Sequence, residues 1–193
     1  MKKLFGVFAL LAVSGIPTLA QDRRGESPLF EVNGGYTFQR WDLPSAAQSP
    51  GGPSALNYNG FNVGGAIHIL KWAALAADVT GTYNSNNGAD TKIFSYLAGP
   101  RIYPLGHHKL TPYGHALFGV ATLHIPGNAP ATEGKFSFEI GGGLDWAVLR
   151  HVAIRLGQFD YQRTQFLRYV DPSVDNQNNF KYSAGVVFRF GER

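Results

Sequence analysis

From Phe30 onward the chain alternates. Phe30, Val32, Gly34, Tyr36 and Phe38 fall on one face, and Glu31, Asn33, Gly35, Thr37 and Gln39 on the other. A period of two is the signature of a strand with unlike faces. The last stretch behaves the same way: Phe180, Tyr182, Ala184, Val186, Phe188 and Phe190 oppose Asn179, Lys181, Ser183, Gly185, Val187 and Arg189. Between them, clean alternation recurs at 61–69, 75–83, 94–102, 136–146 and 152–157. An eighth segment, 111–123, has an ambiguous phase because Gly114-His115-Ala116 interrupts it. The pattern predicts eight strands of about ten residues, each long enough to cross a bilayer at ~45° tilt.

Two positions strain this reading. Pro100 has no N–H for the ladder, so a bulge or strand end is expected there. Arg155 and Asp160 are five apart and share a face only if a bulge intervenes near Gly157. Connections alternate in length. Residues 40–58, 84–91, 124–134 and 164–178 are long and rich in Asn, Gly, Pro, Ser and Ala, whereas 70–73, 104–110 and 148–151 are short. Long extracellular loops and short periplasmic turns are the habit of outer-membrane barrels.

A soluble carrier barrel puts its apolar face inward; a membrane barrel inverts it. Inversion fits better here. The polar face is crowded with small residues (Gly64, Ala66, Gly99, Gly141, Gly143, Ser183, Gly185), suiting a narrow interior. Aromatics gather near the strand ends on the apolar face, at Phe30, Phe38, Phe94, Phe136, Trp146, Phe180 and Phe190, as interfacial girdles require. The expected fold class is all-β, an eight-stranded antiparallel up-and-down transmembrane β-barrel.

Composition narrows the class further. Of 193 residues 24 are glycine, and only 16% are charged against a usual ~25%. With 13% aromatics the chain is too apolar for disorder. Without cysteine there is no disulfide, thiol nucleophile or lipoprotein anchor. Residues 1–20 read as a cleaved signal peptide: Lys2-Lys3, an apolar run Leu4–Val13, and Thr18-Leu19-Ala20 ahead of the cut. Residues 21–193 then form a single barrel domain, with 15 basic and 13 acidic residues. No basic run points to nucleic acid.

The blocks YLAGPRIYP (96–104), TPYGHALFGVA (111–121), GGGLDW (141–146) and FDYQRT (159–164) resemble small bacterial outer-membrane β-barrel domains of the OmpA/OmpX type. The resemblance spans essentially all of 21–193 and carries fold more than activity. The alternation Tyr182–Phe190 is similar to the carboxyl-terminal signal read by the barrel assembly machinery, with Tyr182, Phe188 and Phe190 as its aromatic positions. The family pattern ends on the aromatic, whereas here Gly191-Glu192-Arg193 follow. The resemblance implies an outer-membrane location, with outer-membrane lipid and the assembly machinery as partners. It leaves no room for the peptidoglycan-binding domain of full-length OmpA proteins.

The predicted inward face carries Glu31, Asp78, Glu139 and Asp145 against Arg101, Arg155, Lys181 and Arg189. Desolvating one unpaired charge costs several kcal/mol, so these should pair into a network that fills the lumen, with His115 hydrogen-bonding inside it. The expected role is structural or surface-interacting, an extracellular ligand being met through loops 40–58 (with Trp41) and 164–178. A narrow ion or small-solute channel is the alternative, and a lipid-modifying enzyme a weaker one. Lipid-modifying barrel enzymes of this size resemble one another in placing a His with a Ser and a carboxylate, so that a base can activate a hydroxyl; here no Ser adjoins any of the six histidines in sequence. No catalytic residue, cofactor or metal is therefore expected, and His107-His108 read as a solvated turn.

Overall fold

The computed structural model describes residues 27–42, 55–84, 91–125, 131–164 and 177–191. The expected signal peptide, residues 1–20, and most of the segments expected as long loops lie outside the described residues. Eight strands follow in order: β1 (Phe30–Asp42), β2 (Ala55–Leu70), β3 (Ala73–Asn84), β4 (Thr91–Ile102), β5 (Leu110–Ile125), β6 (Ala131–Leu149), β7 (Val152–Thr164) and β8 (Gln177–Phe190). Each pairs antiparallel with the next, and β8 pairs back onto β1, closing the sheet into a barrel. Closure leaves no strand edge with unpaired backbone groups, the condition for a sheet to live in hydrocarbon.

The strands run from 12 to 19 residues, longer than the expected ten. The alternation continues past the predicted ends. Arg40-Trp41 extends β1 and pairs with Leu56-Asn57 of β2, so part of the segment 40–58 is strand rather than loop. On β5 the phase is settled: Thr111, Tyr113, His115, Leu117 and Ala121 point inward.

Pro100 produces neither a bulge nor a strand end. It points outward within β4, and the β4–β5 pairing skips only Gly99 and Pro100 before resuming at Arg101↔His115 without a shift of register. The ring thus sits where its missing N–H interrupts one short stretch of ladder while β4 keeps its pairing with β3. In β7 a bulge is present. Leu144 pairs with Gly157 but Asp145 with Arg155, so Leu156 is the extra residue. Arg155 is inward before it and Gln158, Asp160 and Gln162 are inward after it.

The outer surface carries the apolar residues, among them Val63, Ile67, Leu75, Tyr96, Phe118, Ile140, Phe159 and Phe188, all substantially exposed. The interior carries the polar ones. In a bilayer, Val63→Arg near mid-barrel is expected to lower unfolding stability by about 2 kcal/mol or more, measurable by reversible urea unfolding in lipid vesicles.

Candidate functional site: the lumen

The interior is layered. At the long-loop end Trp41, Tyr58, Ile93 and Ala121 form a buried apolar cluster, Trp41 meeting Tyr58 edge-to-face at 5.5 Å. Trp41 is thus a lumen residue, 5% exposed, and not part of a surface loop. The strand alternation simply runs on to it and turns it inward.

Below lies a neutral layer. Gln39 Nε2 donates to Gln162 Oε1 (3.1 Å), Thr82 donates to Gln39 Oε1 (3.1 Å), and Gln162 Nε2 donates to Ser95 and Ser137 (3.0 Å each). Amides reach across the tube, and small hydroxyls receive them.

The mid-lumen holds the first ionic group. Lys181 Nζ donates to Glu139 Oε2 at 2.6 Å and lies 3.7 Å from Asp160 Oδ2. His115 Nε2 stands 3.0 Å from Asp160 Oδ1 and 3.6 Å from Glu139 Oε1. Thr80 links Lys181 to Asp78, accepting from the amine and donating to Asp78 Oδ1. Gly141 makes this approach possible, because a Cβ there would sit 2.2 Å from Asp160 Oδ1.

A second group follows. Arg155 donates twice to Asp145, from Nε to Oδ1 (2.9 Å) and from Nη2 to Oδ2 (3.2 Å), a two-point grip that fixes both planes. Its third contact is Gln158 Oε1, which also accepts from Tyr113. The guanidinium groups of Arg155 and Arg101 both lie over the Tyr113 ring, at 4.7 and 4.9 Å. Arg101 is wholly buried and, among the described residues, meets this ring rather than a carboxylate at ion-pair distance. Ala74 pairs with Arg101 across β3 and β4, and it belongs with Ala66, Ala76, Leu97, Tyr103, Leu117 and the same Tyr113 to one buried apolar cluster.

At the short-turn end Glu31 is the centre. Arg189 Nε donates to its Oε1 (3.0 Å) and the Tyr103 hydroxyl to its Oε2 (2.6 Å). His107 Nε2 is 3.5 Å from Oε1 and His68 Nε2 is 3.6 Å from Oε2. The rings of Tyr103, His68 and His107 pack with centroids 4.5–4.9 Å apart, Tyr103 tilted against both imidazoles and the two imidazoles edge-on. His107 reaches this place through its turn. Gly106 N–H donates to Tyr103 C=O across Pro104-Leu105, and Gly106, at φ 68°, swings the chain back over the mouth. The expectation of a solvated His107 is therefore overturned: it is 9% exposed, while His108 remains exposed. Burial holds the His107 imidazole below its ordinary range despite the pull of Glu31, keeping it neutral at pH 7. Burial, reinforced by the Glu31 charge, lifts the Tyr103 phenol well above its ordinary range and keeps it a donor.

All nine residues singled out for the lumen network (Glu31, Asp78, Arg101, His115, Glu139, Asp145, Arg155, Lys181, Arg189) lie buried inside the barrel. Tyr182, Phe188 and Phe190 lie on the outer face. Sequence reasoning missed Asp160, Gln158, Gln162, Tyr103, His68 and His107 as members. Asp160 makes five buried carboxylates against four buried Lys and Arg side chains among the described residues, and His115 Nε2 lies 3.0 Å from it. Two groups of ligand-type side chains converge, Glu31–His68–His107 and His115–Glu139–Asp160. Among the described residues His68, His107 and His115 approach carboxylates, and His151 Nδ1 meets the Arg189 carbonyl.

The family described as outer membrane protein beta-barrel domain matches residues 7–190. The chain belongs to that family. Solved structures of the same architecture include Neisserial surface protein A, at 17% identity and a TM-score of 0.66, covering 83% of this chain and 97% of that one. The attachment invasion locus protein Ail of Yersinia pestis is similar at 17% identity and 0.57, over 85% of this chain and 99% of that one. OprG of Pseudomonas aeruginosa is similar at 13% and 0.50, over 86% and 97%. Among curated protein sequences none matches at a significant level. As a member of this family the protein resides in the outer membrane, with apolar side chains toward lipid and ion pairs inside.

Proposed function

We propose that this barrel is a closed structural scaffold that presents its extracellular loops for surface interaction, and that its lumen does not conduct. The observation that carries the reading is the contact pairing across the tube. Lys181–Glu139, Arg155–Asp145 and Arg189–Glu31 all meet at 2.6–3.0 Å, beneath a buried Trp41–Tyr58 cap. Opening a path means separating buried charges in a low-dielectric interior, where breaking a pair costs several kcal/mol. A rigid barrel also suits loop display, because binding residues concentrate on loops that a scaffold positions. Ail, a similar fold, has been solved with the heparin analogue sucrose octasulfate; surface recognition by this chain is an inference from its scaffold. The protein assembles through the barrel machinery using its aromatic terminal strand, and it acts without catalysis.

Planar-bilayer recording tests the closed lumen. The expected result is no stable conductance in the unmodified protein. A steady conductance that changes on replacing Arg101 or Glu139 by Ala would instead establish the narrow channel.

A further inference from the structure

We infer that Glu31, His68 and His107 form a binding site for one divalent transition cation of zinc type at the periplasmic mouth of the lumen. The three side chains come from separate elements: the start of β1, the end of β2 and the turn after β4. Each offers one donor atom, and the three donors lie within 4.8 Å of one another. In a tetrahedral zinc site with bonds of 2.0–2.2 Å, two ligand atoms stand about 3.4 Å apart. His107 Nε2 stands 3.5 Å from Glu31 Oε1 and His68 Nε2 3.6 Å from Oε2, each near that edge but on opposite oxygens of the carboxylate. Small movements of the rings and the carboxylate would complete the geometry.

The donor chemistry selects the ion. Two imidazoles and one carboxylate suit zinc and its neighbours, whereas calcium and magnesium take oxygen ligands throughout. Among the described residues neither ring nitrogen of the buried His107 makes a hydrogen bond of normal geometry, Nε2 only standing 3.5 Å from Glu31 Oε1, so the ring can turn a nitrogen to a cation. Glu31 also keeps capacity. A carboxylate offers about four lone-pair sites, and Arg189 and Tyr103 take one on each oxygen. Tyr103 then acts as an outer-shell partner that fixes the carboxylate plane. Arg189 opposes the cation and lowers affinity below that of a cage without it; Asp145, 3.8 Å from Arg189 Nη2, offsets part of that charge.

The other convergent group does not qualify. Lys181 Nζ, 2.6 Å from Glu139 and 3.7 Å from Asp160, is already the cation of the His115–Glu139–Asp160 cluster. That cluster lies in mid-lumen, whereas the His107 turn forms the mouth itself. A cation arriving from the periplasm reaches it by displacing one turn.

The test uses the full-length protein, folded in detergent or nanodiscs, with zinc chloride as the only ligand. Competition against a chromogenic chelator should give one zinc per chain, and cobalt substitution should give the intense visible bands of a tetrahedral site. Tyr103→Phe should weaken binding about 10-fold. His107→Ala should remove stoichiometric binding while retaining heat-modifiable migration, and His108→Ala should change nothing. In the unmodified protein, zinc should shift the imidazole resonances of His68 and His107 and leave those of His108 and His151, which requires no variant to fold. Absence of zinc binding by the folded protein, or one-to-one binding that survives His107→Ala or leaves the His68 and His107 signals in place, overturns the assignment.

Discussion

Lys181→Met is expected to lower the unfolding free energy by about 3–5 kcal/mol. Lys181 bridges two buried carboxylates, 2.6 Å from Glu139 and 3.7 Å from Asp160. Methionine fills similar space, so the change isolates charge from volume. Removing the amine leaves Glu139 and Asp160 buried with His115 as their remaining basic neighbour. It also removes the donor that reaches Thr80 and, through it, Asp78. The penalty is that of stranding a buried charge, which exceeds the net worth of the pair. The urea midpoint in lipid vesicles, followed by tryptophan fluorescence, reads the effect. Adding Glu139→Gln should recover part of the loss by removing a stranded charge. A single-variant effect below about 1 kcal/mol would place the pair among solvent-screened bridges, and so would admit water to the lumen.

Gly185→Val should prevent a stable barrel from forming. Gly35 and Gly185 face each other across the seam where β8 closes onto β1. A Cβ on Gly185 would sit 2.2 Å from the Gly34 carbonyl oxygen and 2.6 Å from the Gly35 Cα. These are backbone atoms of the neighbouring strand, so no side chain can swing aside. Relief requires the seam itself to part, at a cost above the usual 1–3 kcal/mol of overpacking, about 3 kcal/mol or more. Loss of the heat-modifiable band, with protein still detected as the unfolded form, is the expected readout. Gly106→Ala serves as a control: it strains a positive φ in an open turn and meets nothing within 4 Å, so the barrel should still close.

Strand number, facing and most of the lumen were legible in the sequence because alternation is a local property. Glu31 and Lys181 each declare their side through their immediate neighbours. Three features were not local. Asp160 joins the interior only because Leu156 is extruded; its five-residue spacing from Arg155 says that a bulge is required for this, but not that one occurs. Trp41 was assigned to a loop by its Pro-, Ser- and Gly-rich surroundings, although its inward parity continues from Gln39. His107 depends on a left-handed glycine that points a turn back over the mouth, a matter of backbone geometry. Pro100 shows the opposite error: a local rule predicted disruption, but pairing on the other side of β4 holds the strand in register. Partners such as His68 for Glu31 are 37 positions away in the chain, beyond any pattern along it.

The polar contacts form a continuous chain down the tube. From Asp78 it passes through Thr80, Lys181, Glu139, His115, Asp160, Gln158, Arg155, Asp145 and Arg189 to Glu31 and Tyr103. Side chains joined in this way do not contribute independently. Substitutions at Lys181 and at Glu31, near opposite ends of the chain, are thermodynamically coupled through every link between them, and each acts on a structure the other has already changed. The interior is therefore one cooperative object, lost or kept as a whole, and its stability belongs to no single pair.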